Sequence, residues 1–224
     1  MITELAMLRL LQLVSPGLPI GMYSYSQGLE LAIDQRWLNN ADDTRDWLQA
    51  IMQTSMTQID LPILCRLYDG WLVGDNQKVS EWSTTLKAHR ETAELRAEDK
   101  HMGQALARLL TELELTEAKL WQRQPTATLA TLFSLAAVRW QIPKQHAVTG
   151  YLWSWLENQV LCAVKLVPLG QVAGQRLLTQ LAALIPQQVS VALKLNDEDI
   201  GGSVFGLSLA SCRHEMQYSR LFRS

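Results

Sequence analysis

The apolar residues of this chain recur at the spacing of an α-helix, and that restricts the architectures open to it. Leu129, Leu132, Phe133, Ala136, Ala137 and Trp140 fall at i, i+3, i+4, i+7, i+8 and i+11, the stripe of an amphipathic helix. Ile142-Pro143 ends the pattern, because a residue before proline is pushed out of the helical region. Leu106, Leu109, Leu110 and Leu113 repeat the spacing, as do Trp47, Leu48, Ile51 and Met52 after the opening Asp42-Asp43-Thr44. Asp60 and Pro62 read as an N-cap region and a first-turn proline leading into Ile63, Leu64, Leu67 and Tyr68. Gly74-Asp75-Asn76 is a turn, and a further helix starts at Val79. The expected fold is all-α: a single-domain bundle of about eight to ten helices with a C-terminal tail that depends on a partner for its order.

Three regions depart from the pattern. Residues 15–26 (SPGLPIGMYSYS) hold two Pro and two Gly and read as a loop between helices. Residues 147–167 are apolar nearly all round, as expected of a helix buried by neighbours or by a second subunit. After Pro186 the character changes. A weak strand pattern at 189–195 precedes the acidic run 196–199 and Gly201-Gly202, and the last 14 residues carry three arginines against one glutamate. The division drawn here is a helical body over 1–186 and a C-terminal segment over 187–224, flexible alone and ordered on a partner.

Composition removes several function classes. Twenty basic against 22 acidic residues give a formal charge of −2, without the basic excess of a nucleic-acid module. Three scattered cysteines (Cys65, Cys162 and Cys212) suit a reducing, cytoplasmic setting better than a disulfide framework. The N-terminus lacks the pattern of a secretory signal, and the most membrane-like stretch, 147–169, carries Glu157 and Lys165, which disfavours a membrane span. The four histidines, His89, His101, His146 and His214, include no i, i+4 pair. Phosphate loops, dinucleotide fingerprints and nucleophile elbows are missing from the sequence.

Residues 87–100 read as one helix dense in mixed charge, with Lys87/Glu91 and Arg90/Glu94 at i, i+4. Such a face is either solvated or a docking surface. Lys165 stands alone among apolar residues, so it must be paired, snorkelled to a surface, or facing a wet cavity. Gly170 and Gly174, four apart, permit close helix packing or a dimer contact. In the tail, Tyr218, Leu221 and Phe222 interleave with Arg213, Arg220 and Arg223, the residue types that dominate protein–protein hot spots. Two other functions stay open at this point: a nickel metallochaperone using the scattered histidines, and a helical enzyme using Lys165 as base or nucleophile.

Four segments together resemble the UreF family of urease accessory proteins: residues 10–30 (LLQLVSPGLPIGMYSYSQGLE), 90–103 (RETAELRAEDKHMG), 164–178 (VKLVPLGQVAGQRLL) and 213–224 (RHEMQYSRLFRS). The family's usual LPIGG reads LPIGM here, with Met22 in the last place. The resemblance implies a cytoplasmic all-α homodimer without catalytic activity or cofactor. It would bridge UreD (also called UreH) and the GTPase UreG on apo-urease, so that Ni2+ enters the urease active site. Regulation of UreG and gating of nickel transfer would be further roles. Carried over by residue, Tyr23 and Ser24 would face UreG. Gln171, Arg176, Tyr218, Arg220, Leu221 and Phe222 would face UreD. Lys165, Gly170 and Gly174 would lie at a gate or dimer contact, and Arg90, Glu94 and Arg96 would be docking charges.

Overall fold

A computed structural model describes residues 2–167 and 169–224, and every regular element among them is helical. The order is α1 (Glu4–Leu13), α2 (Leu29–Asp34), α3 (Ala41–Ile51), α4 (Leu61–Val73), α5 (Asn76–Ala88), α6 (Ala93–Glu112), α7 (Leu129–Arg139), α8 (Lys144–Leu166), α9 (Gln171–Ala182), α10 (Ile185–Ala192) and α11 (Phe205–His214). Local chemistry starts many of them. Thr3, Asn40, Asp75, Thr92 and Thr128 each accept the backbone N–H three residues on, satisfying donors that the first turn leaves free.

The centre of the bundle is α7, packed against α4, α6 and α8. All ten residues from Leu129 to Val138 are buried, not only the predicted stripe. The opposite face (Ala130, Thr131, Ser134) is small or hydroxylic, and its hydroxyls bond inside the protein; Ser134 Oγ donates to the Ala130 carbonyl at 2.8 Å. A helix whose second face can satisfy itself needs no solvent, which is why the stripe understates its burial.

Asp60 does not begin a helix. α3 and α4 run into each other through a π-helical segment, Met52–Asp60, in which the Leu61 N–H reaches the Met56 carbonyl. Pro62 brings no N–H to the Gln58 carbonyl, which instead accepts from Gly201 at 3.2 Å. The widened turn therefore carries the proline inside a continuous rod and anchors residue 201 to it.

Two further expectations change. Residues 189–192, read as a weak strand, belong to α10, whose Ile185, Val189 and Ala192 join the main core. The charged stretch 87–100 is two helices, broken between Ala88 and Ala93 with Thr92 as the new cap. The break separates His89 from His101 and removes the Arg90/Glu94 pairing.

A smaller apolar cluster lies apart from the main core: Leu29, Ala32, Leu38, Cys162, Ala163 and, from the far end of the chain, Phe222. Residues 187–224 thus contact the body at both ends of their length. No described helix is long and apolar enough to cross a membrane.

Candidate functional site

The loop after α1 is fixed from within. Gly21 takes the left-handed conformation (φ 79°), so Met22 has an ordinary place in the short 3-10 turn Met22–Ser24. Tyr25 is buried, its carbonyl accepting from Asn158 Nδ2 at 3.1 Å. Gln27 donates to Glu98 Oε1 at 2.8 Å and accepts from Trp155 Nε1 at 2.9 Å. Tyr23 is the exposed aromatic of the loop, 62% exposed on a turn whose neighbours Tyr25 and Gln27 are bonded to the body.

The tail lies across this loop. The Arg223 N–H donates to the Ser24 carbonyl at 2.8 Å, and the Ser26 N–H donates to the Ser224 carbonyl at 2.8 Å. Ser224 Oγ reaches Glu98 Oε2 at 2.7 Å. Phe222, 5% exposed, fills the small cluster, with Lys165 Nζ 5.7 Å from its ring centroid. Lys165 is exposed, the snorkelled arrangement among those open to it. Tyr218, Arg220 and Leu221 face solvent.

Glu94 turns toward the tail, accepting from Arg220 Nη1 at 2.7 Å and lying 2.7 Å from His214 Nδ1. His214 is fully buried, and its Nε2 is 3.3 Å from Glu30 Oε2. Glu30 also accepts the Leu221 N–H at 2.6 Å and the Phe222 N–H at 2.9 Å.

Arg90 faces inward, its side chain only 16% exposed. It bonds Asp60 through both terminal nitrogens, at 2.5 and 3.1 Å, and Asp99 through Nε at 2.9 Å. Asp99 also accepts the Leu129 N–H at 2.8 Å, so one guanidinium ties the π segment, the α5–α6 break and the start of α7. Arg96 is exposed and donates to the Arg90 carbonyl at 2.7 Å. On α9, Gln171 and Arg176 are exposed, as is Gly170 just before it, whereas Gly174 is buried against Val164 of α8. The close approach at Gly174 is therefore made inside the chain.

Beside the Arg90 cluster lies a cavity of about 70 Å³, lined by Asp60, Glu98, Asp99 and Tyr151 among others. Burial raises the Glu98 carboxyl to about 7 against the hydrogen bonds from Ser224 and Gln27. Burial likewise raises the Tyr151 hydroxyl well above its usual range. The thiols of Cys65 and Cys162 are pushed up to about 11 and about 12, so neither is a nucleophile at neutral pH. Among the described residues, no group of three or more His, Cys, Asp or Glu is placed to hold a metal ion.

Sequence reasoning missed Glu98, Asp99 and Glu30, and it gave Asp60 and His214 other roles, an N-cap and a candidate nickel ligand. For two of these a signal existed. Leu95, Met102, Leu106 and Leu110 are the buried stripe of α6, and Glu98 and Asp99 occupy its i+3 and i+4 places, where a carboxylate is buried or paired. Glu30 and His214 carry no comparable local mark.

The chain resembles known proteins along almost its whole length. The UreF family model matches residues 38–182. A protein from Alkalilimnicola ehrlichii, described as urease accessory protein UreF, is 53% identical over 220 residues, covering 98% of this chain and 96% of its own. Proteins of the same description from Hahella chejuensis and Pseudomonas putida are each 44% identical, covering 98% and 99% of this chain and 99% of their own. With the family model covering well over half the chain and the identity extending to both ends, this chain belongs to the UreF family of urease accessory proteins.

Proposed function

We propose that the protein is a cytoplasmic adaptor in urease maturation, bridging UreD (UreH) and the GTPase UreG on apo-urease so that Ni2+ is inserted into the urease active site. The observation that carries this reading is the display of Tyr218, Arg220 and Leu221 on a tail held firmly to the body. An aromatic, an arginine and a leucine exposed on a pre-ordered support form a docking element with little ordering entropy left to lose. Tyr23 offers a second exposed aromatic on the adjoining loop, the proposed UreG face.

Exposed α9 residues Gln171 and Arg176 extend the proposed UreD face. The exposed leucines of α1, Leu5, Leu8 and Leu11, give an apolar ridge suited to the homodimer. In this reading Lys165, beside Phe222, senses the tail and gates nickel transfer, and the assembly regulates UreG hydrolysis.

The test is capture of purified UreD and UreG by the full chain and by a chain ending at Gln217, which keeps α11 and His214. Capture of both by the full chain, with UreD lost on truncation, is the expected result. Equal capture of UreD by the shortened chain contradicts the assignment of the tail.

A further inference from the structure

Glu30 is 7% exposed, and no lysine or arginine neutralises it among the described residues. A buried carboxylate needs donors, and every side-chain partner of Glu30 comes from the last eleven residues: His214 Nε2 and the backbone N–H groups of Leu221 and Phe222. No other described residue hydrogen-bonds to this carboxylate. Two successive N–H groups on one carboxylate fix the direction of the backbone, so that Leu221 points outward while Phe222 enters the small apolar cluster. His214 then links Glu30 to Glu94, and Glu94 holds Arg220.

We propose that Glu30 is the positioning residue that anchors the C-terminal tail and orients Tyr218, Arg220 and Leu221 for a protein partner. The partner's identity rests on the function proposed above; the anchoring does not. The clasp is local and reversible. Release of residues 216–224 would take away the two backbone N–H donors together with the chain lying over Glu30, while His214 on α11 stays beside it.

Hydrogen exchange on the full chain tests this. Glu30→Gln keeps the size of the side chain but points an amide N–H where the backbone N–H groups need an acceptor. Exchange over residues 216–224 is expected to accelerate on the order of tenfold or more, while residues 129–139 in α7 stay as protected as before. Leu221→Pro removes one of the two N–H donors at an exposed side chain and leaves Glu30 intact, and it should loosen the same residues. An unchanged tail in Glu30→Gln overturns the proposal, as does acceleration of tail and α7 together. Should Glu30→Gln fail to fold, Leu221→Pro decides: a loosened tail supports the anchor and an unchanged one overturns it. UreD capture separates the two claims. A loosened tail in Glu30→Gln with undiminished capture supports the anchor and contradicts the docking role of the tail.

Discussion

Two places in this molecule bury carboxylates, and they do so by opposite means. At the Arg90 cluster, Asp60 and Asp99 are neutralised by one guanidinium, and the three residues join elements that are all part of the body. At the clasp, Glu30 is held by backbone N–H groups and an imidazole, all from the last residues of the chain. Removing a partner from the first strands charge in the interior. Letting go of the second removes the two backbone donors along with the chain that supplies them. The first is therefore a device for holding the fold and the second for holding something that acts outside it.

The largest effect should come from Arg90→Ala, which leaves Asp60 and Asp99 buried without their cation. It should lower unfolding stability in urea by about 3–5 kcal/mol. A loss under about 1 kcal/mol would mean the cluster is as dispensable as a surface pair. Next is Glu98, between the two regions. Its carboxyl is raised from 4.5 to about 7 by burial, so the folded state binds the extra proton. Stability from this group is complete below about pH 4.5 and lost as pH rises through about 7, a change of roughly 3 kcal/mol. Glu98→Gln should flatten that slope in chemical unfolding followed across pH; an unaltered slope would assign it to other groups. Gly174→Ala sets a methyl against Val164 Cγ2 of α8, which should cost about 1–3 kcal/mol of stability unless α9 shifts. Tyr218→Ala, at an exposed tail position, should change stability least, within about 0.5 kcal/mol.

The helical class and most helix positions were readable because spacing and turn residues are local signals: the α7 stripe and the Gly74-Asp75-Asn76 turn between α4 and α5 are examples. The break at residues 89–92 was hidden by the favourable i, i+4 charges across it, which compete with a buried pairing to Asp60, thirty residues away. Pro62 looked like a helix start because the carbonyl it frees is satisfied by Gly201, far along the chain. The exposed tail residues Tyr218 and Arg220 were legible from composition. Phe222 was expected on the same face, yet it is buried in the small apolar cluster, a direction set by bonds to Glu30, Ser24 and Ser26 that lie about 200 residues away in sequence.

The proposed adaptor role requires Tyr218 and Leu221 to be a presented surface rather than part of the core. A binding titration of UreD against wild-type protein, Tyr218→Ala and Leu221→Ala, run beside their urea unfolding curves, tests that directly. The prediction is binding weaker by about 1–3 kcal/mol with unfolding midpoints unchanged. Unchanged affinity, or a midpoint that falls in step with affinity, would contradict it.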